Sequence, residues 1–229
     1  MDSLTKDPVA SVLERLFQQS KIADRPLLDD FRRGAGNKDP WAALLEEEAK
    51  DYRALYRKFA NNFLSIDREF GRFLYMCGRA CQAKRVVEFG TSFGISTIHL
   101  ACALRDNGGG RLIGTELEPQ KAEGARKNLA DAGLDEFVEI RVGDALETLQ
   151  SEIGGRIDLL LLDGAVSLYL PVLMLVEPHL RTGAFVIGEN AIDQSPGYLN
   201  YVRNPQNGCL SMALPFQPGR GNELTVVTR

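Results

Sequence analysis

Five acidic residues, Glu88, Glu116, Asp144, Asp163 and Glu189, each stand at the end of a short apolar run. Glu88 opens the stretch Glu88-Phe89-Gly90-Thr91-Ser92-Phe93-Gly94, with Ser96 close behind. Glycines at 90 and 94 allow a tight turn and a close approach of backbone to ligand, and Thr91, Ser92 and Ser96 offer hydroxyls. Glu116, 26 residues after Gly90, is a carboxylate suited to the two hydroxyls of a ribose. Gly143-Asp144-Ala145 and Asp163-Gly164 end two further runs, and Leu117 follows Glu116. The glycine spacing is not the dinucleotide pattern of three glycines at intervals of two and three, and the lysine of a phosphate-binding loop is missing. A ribose carboxylate without a phosphate cradle points to a nucleoside that carries no phosphate.

Such residues converge only if parallel strands carry them. The spacing predicts strands over 85–90, 111–117, 137–143, 157–163 and 184–188, alternating with helices over 95–105, 119–132, 145–153 and 168–179. Leu159-Leu160-Leu161-Leu162 is apolar at every position, as a strand covered by helices on both faces requires. The pattern is an α/β, doubly wound Rossmann-like sheet, in which ligands bind beyond the carboxyl ends of the strands. Strands over 209–216 and 223–228 close it as an antiparallel hairpin. The first third is helical: 8–19, then 41–59 with Trp41, Leu44, Leu45, Tyr52, Leu55, Tyr56 and Phe59 in an apolar stripe, then 64–80, with a turn-rich linker over 34–40. Residues 1–82 are expected to form a helical cap or lid and 83–229 the binding core, with Trp41, Tyr52 and Tyr56 as core residues.

Composition removes other classes. Hydrophobic residues make up 44% and charged ones 25% of 229, which excludes disorder, collagen and coiled coil. A net charge of -4 with scattered Lys and Arg carries no nucleic-acid footprint, so the expected partner is a small molecule. The opening residues carry charges among their apolar positions, unlike a secretory signal, and no apolar run nears the ~18 residues of a membrane span. The expected setting is cytoplasmic, with no membrane partner. Four cysteines are too few and too irregular for a disulfide framework. The two histidines, His99 and His179, fall inside helices and are read as structural.

Residues 88–97 resemble the first motif of the class I S-adenosylmethionine (SAM) dependent methyltransferases, in particular the small catechol and caffeoyl-CoA type O-methyltransferases. Glu116 is similar to the family's ribose-binding acid and Gly143-Asp144-Ala145 to its adenine-contacting segment. Leu64-Ser65-Ile66 is similar to the segment that lies against the methionine end. The resemblance spans about residues 60–229 and implies a seven-stranded sheet and SAM as cofactor. It assigns Leu64, Ser65, Glu88, Gly90, Thr91, Ser92, Gly94, Ser96, Glu116, Leu117, Asp144, Ala145 and Asp163 to cofactor binding. Family members of this size commonly pair into homodimers, although the stripe arithmetic marks no interface.

The sequence leaves the family at the catalytic positions. Metal-dependent members carry an Asp after the fourth strand, a Lys three residues later and an Asp-Asn pair after the fifth. Here these are Asp163, Val166 and Glu189-Asn190, so Asp163, Glu189 and Asn190 would hold a divalent ion only with a longer carboxylate in the set, and no metal is expected. Asp163, Tyr169 and Glu189 remain as catalytic candidates, with Ser195 and Tyr198 as further contacts. Three functions fit: methyl transfer to a small molecule without metal, closure of SAM on itself to azetidine-2-carboxylate and methylthioadenosine, and SAM binding without catalysis. The second would use rings such as Phe93, Tyr169, Tyr198 and Tyr201 to hold the sulfonium.

Overall fold

Successive side chains of a strand point to opposite faces, so the leucine run of 159–162 must supply two cores. In the computed structural model, which describes residues 2–34, 40–191, 196–215 and 221–229 and all of their side chains but those of 31–34, 40–41 and 196, it does. Leu159 and Leu161 join Val86, Leu112 and Ile187 in one hydrophobic cluster, and Leu160 and Leu162 join Val87, Ile113 and Val186 in the other. Full burial of each such side chain is worth roughly 1.5–3 kcal/mol.

The parallel strands are β1 (Arg85–Phe89), β2 (Arg111–Glu116), β3 (Val138–Val142), β4 (Ile157–Leu162) and β5 (Leu180–Gly188). Beyond β5, the antiparallel strands β6 (Cys209–Leu214) and β7 (Asn222–Val227) complete a seven-stranded sheet of order β3-β2-β1-β4-β5-β7-β6. Strand order reverses between β1 and β4, which sets the ligand crevice there.

The helices are α1 (Val9–Gly34), α2 (Pro40–Lys58), α3 (Arg68–Ala80), α4 (Ile95–Asp106), α5 (Pro119–Asp131), α6 (Ala145–Thr148), α7 (Tyr169–Val176) and α8 (Pro196–Val202). The first cluster joins α1 and α3 to α4 and α5, while α6, α7 and α8 cover the opposite face. Gly71 lets α3 lie against α4, since a Cβ there would sit 2.6 Å from the His99 ring. His99 is buried, bonds the Ile95 carbonyl through Nδ1 at 2.8 Å, and is pushed by burial down to a pKa of about 4, as a structural histidine would be.

Several elements differ from expectation. α1 runs past Gln19 to Gly34, because its second half faces a cavity through Ser20, Lys21, Asp24, Leu27 and Leu28 and so lacks a clean apolar stripe. α2 kinks at Asp51, whose carboxylate accepts the Ala54 N–H at 2.9 Å and starts the helix afresh. α3 begins at Arg68 behind the cap Asp67, not at Leu64. α6 has four residues, because the Arg141 guanidinium takes the carbonyls of Thr148, Ser151 and Glu152 and pulls the chain out of the helix. Among the described residues no helix is long and apolar enough to cross a membrane.

Candidate functional site

A cavity of about 990 Å³ opens at the reversal point, walled by the carboxyl ends of β1, β2, β4 and β5 and by α1, α2 and the segment before α3. Leu64, Ser65, Gly90, Thr91, Ser92, Ser96, Glu116, Leu117, Asp144, Ala145, Asp163, Tyr169, Glu189 and Asn190 all line it. Glu88 and Gly94 stand outside that lining. Gly94 has φ +90 and starts α4 against Ala125 of α5. Glu88 lies beneath the β1 turn, where the hydroxyls of Thr97 (2.6 Å) and Thr91 (3.1 Å) donate to it.

Burial pushes the Glu88 carboxyl up to a pKa of about 7 from 4.5. The folded state therefore favours the protonated acid, so this contribution to stability is full below about pH 4.5 and is lost as pH rises through 7. Glu88→Gln cannot ionise. Its Tm relative to wild type is expected to rise by roughly 5–10 °C between pH 5 and pH 8, for an ionisation cost on the order of 3 kcal/mol. A Tm difference that stays constant over that range would defeat the assignment.

At the ends of β1 and β2, Glu116 is buried and accepts the N–H groups of Ser92 (2.7 Å) and Glu118 (2.9 Å), one on each oxygen. Each oxygen keeps a second lone pair, which is the chemistry a vicinal diol needs. Burial raises its pKa, and the nearby Lys121 works against that rise. Lys121, in the first turn of α5, is itself buried and lines the cavity, and sequence reasoning did not single it out. The Leu64-Ser65 segment is held from α1: Asp24 accepts the Phe63 and Leu64 N–H groups at 2.7 and 2.9 Å, with Leu64 at φ +49. Ser92 donates to the Phe63 carbonyl at 2.7 Å, and the Phe63 and Phe93 rings stack at 4.3 Å.

Asp144 caps α6 through the Leu146 N–H (2.9 Å), and its other oxygen accepts Arg53 Nε (2.9 Å), Arg53 Nη2 (2.5 Å) and the Tyr52 hydroxyl. Burial opposes its ionisation, yet these hydrogen bonds hold its carboxyl below the ordinary range. The carboxylate is thus committed to α2, and Ala145 is the neighbour that the turn presents to the cavity.

The other end gathers Asp163, Tyr169, Glu189 and Asn190 with two residues from α2, Glu48 and Tyr56. The Tyr169 hydroxyl donates to the Glu189 carbonyl at 2.6 Å, and the Asn190 N–H, at φ +51, donates to Asn222 Oδ1 at 2.9 Å. Burial, with the charges of Glu48, Asp163 and Glu189, pushes both Tyr56 and Tyr169 well above the usual phenol range. Tyr52 and Tyr56 therefore wall the cavity while packing on the second core, in contrast to a purely core role. Phe93 also lines the cavity. Tyr198 is fully buried against Gly188 and Tyr169, and Tyr201 bonds Glu177 (2.8 Å), so neither belongs to a ring of aromatics around a ligand. Ser195 and the Trp41 side chain lie outside the described residues.

Asp163, Glu189 and Asn190 offer hard oxygens to the cavity; apart from that mixed set, no three His, Cys, Asp or Glu side chains among the described residues are grouped to share an ion. Asp163, Glu189 and Asn190 are the residues that would hold a divalent ion, with Glu189 on an arm one methylene longer than that of the aspartate at the corresponding position of the resembled family.

A family model described as a methyltransferase domain matches residues 87–191. The catechol O-methyltransferase of Mycobacterium tuberculosis is 36% identical over 129 residues, 56% of this chain and 58% of that protein. That of Niastella koreensis is 36% identical over 132 residues, so the chain spans less than two thirds of either relative. Catechol O-methyltransferase B of Danio rerio is 31% identical over 205 residues, 86% of this chain and 75% of the relative. Among solved structures, an O-methyltransferase of tomaymycin synthesis from Streptomyces achromogenes, in complex with SAM, superposes with a TM-score of 0.67 at 25% identity, covering 81% of this chain and 90% of that one.

Proposed function

This chain belongs to the class I SAM-dependent O-methyltransferases, and on that premise we propose that it transfers the methyl group of SAM to a hydroxyl of a small aromatic molecule without a metal ion. One observation carries the reading: a single cavity joins a nucleoside-type end, at Glu116 and Ser92, to an acidic and phenolic end at Asp163, Tyr169 and Glu189. Its volume of about 990 Å³ lies at the top of the ~300–1,000 Å³ range of pockets for one small molecule. That favours an acceptor beside SAM over ring closure within SAM.

The residues divide the work. Glu116 receives the ribose hydroxyls, the turn at Ala145 borders the adenine, and Leu64 and Ser65 face the methionine part. When bound, SAM supplies an electrophilic methyl on a sulfonium, whose charge suits the carboxylates of the far end. Leu44, Leu45, Phe59 and Phe89 give the acceptor ring an apolar wall. Fixing acceptor oxygen and methyl in line can supply about 7–11 kcal/mol of the barrier reduction. α1 and α2 act as the cover, with α2 tied down at Asp144 by Tyr52 and Arg53, and so exclude water from the reacting groups.

The relatives' names make catechol the first acceptor to supply. Mass spectrometry is expected to find S-adenosylhomocysteine with catechol or a related phenol, no methylthioadenosine from SAM alone, and a rate changed less than about twofold by EDTA or added Mg²⁺. Methylthioadenosine without acceptor would overturn methyl transfer, and a tenfold metal requirement would overturn metal independence.

A further inference from the structure

Methylating a hydroxyl releases a proton, and the position where the resembled family places a lysine is Val166. The space beside it is occupied from elsewhere in the chain. Glu48 of α2 reaches across to the turn after β4, where its Oε1 accepts the Ser167 N–H at 2.7 Å. Its Oε2 accepts the Tyr56 hydroxyl at 2.9 Å. The carboxylate is 1% exposed in the chain as a whole, yet it lines the cavity at the end that holds Asp163 and Glu189. Each of its oxygens has one lone pair engaged and a second available to a ligand.

The groups that face this end are Tyr56 from the same helix, Asp163 from the end of β4, Tyr169 from α7 and Glu189 from the end of β5. Both phenols are held in their protonated form, so Tyr56 acts as a donor to Glu48 and not as a base. Among the described residues, the Lys and Arg side chains lining the cavity are Lys21, Arg68 and Lys121, placed on α1, α3 and α5.

Resting on the methyl-transfer reading above, we propose that Glu48 is the base of the reaction, a carboxylate from the cover helix in place of the lysine missing at 166. Tyr56 and the Ser167 N–H are its positioning groups. As the acceptor O–H gives its proton to Glu48, the acceptor oxygen forms its bond to the methyl carbon. The carbon–sulfur bond breaks with its electron pair passing to sulfur. Carboxylate and sulfonium are neutralised in the same event, leaving a carboxylic acid, a methyl ether and a neutral thioether. A buried site favours that loss of charge, because neither ion is well solvated there.

The test compares wild type, Glu48→Gln and Tyr56→Phe on phenols of decreasing pKa, with SAM affinity measured by calorimetry. Glu48→Gln is expected to lower kcat about 10²-fold on an ordinary phenol, as loss of a general base does, with the SAM Kd within about twofold of wild type. The deficit should shrink below about fivefold for a nitro-substituted phenol, already ionised at neutral pH, and should also shrink as pH is raised. Tyr56→Phe should show a smaller deficit with the same trend, and it decides the matter if Glu48→Gln does not fold. A deficit that is equal for acidic and ordinary phenols and unmoved by pH overturns the assignment alone. Wild-type protein that binds SAM but methylates none of the phenols overturns the methyl-transfer reading, and this one with it.

Discussion

Alanine at position 90 is expected to cost about 4 kcal/mol of stability and to lower Tm by roughly 8–16 °C, a sum of left-handed backbone strain and overlap with a neighbouring strand. Gly90 has φ +99, and a Cβ there would lie 2.1 Å from the Asp163 carbonyl oxygen and 2.6 Å from its carbon. Those are backbone atoms, unable to rotate away. The contact is tight because β1 and β4 are adjacent, with the Asp163 N–H bonded to the Phe89 carbonyl at 2.8 Å and the Gly90 N–H to Thr115 at 3.2 Å. Relief would have to come from moving the Asp163-Gly164 turn, which lines the acidic end of the cavity. Gly109→Ala is the control, since its φ of +97 is nearly the same but nothing lies within 4 Å. It should cost only the roughly 1–2 kcal/mol of backbone strain. Thermal unfolding of the two variants measures the difference, and equal losses would show that the close approach at Gly90 is not what demands glycine.

Loss of the Glu116 carboxylate is expected to weaken SAM binding about 10³-fold, since two hydrogen bonds to a charged group at about 2 kcal/mol each amount to about three decades. Glu116→Ala would also leave the Ser92 and Glu118 N–H groups without their acceptor, which loosens the turn against the ligand. Glu116→Gln separates these effects. It keeps a carbonyl for one of the two amides but loses the charge and one acceptor, so a loss of about 10- to 100-fold is expected. Titration calorimetry with SAM gives both numbers. A change of less than about fivefold in Glu116→Ala would place the ribose elsewhere in the cavity.

Much of the cavity at the strand ends was legible because its residues follow strands. Parallel strands bring their carboxyl ends to one edge of the sheet, so Gly90, Glu116, Asp144 and Asp163 were bound to meet once the alternation of strands and helices was recognised. Glu88 shows the limit of that logic. It belongs to the same motif, but the pleat turns its side chain under the loop to bond Thr91 and Thr97. Asp144 shows another, because its carboxylate is taken up by Tyr52 and Arg53, residues with no local signal that links them to it.

The helical third was least legible at the site. An apolar stripe with a period of 3.6 tells which side of a helix avoids water, not whether that side meets a packed core or a ligand cavity. Tyr52, Tyr56 and Glu48 all lie on the cavity side of α2, and the contacts of Glu48 with Ser167 and of Asp24 with Phe63 and Leu64 join distant parts of the chain. By itself, the sequence determined the doubly wound sheet and the line of acidic residues at its strand ends, because these rest on periodicity and residue type, while the absence of a lysine at 166 was legible only against the resembled family. Only the tertiary structure decided which carboxylate stands beside Val166. That depends on where α2 crosses the sheet edge, a placement set by packing between segments more than a hundred residues apart and carried by no short stretch of sequence.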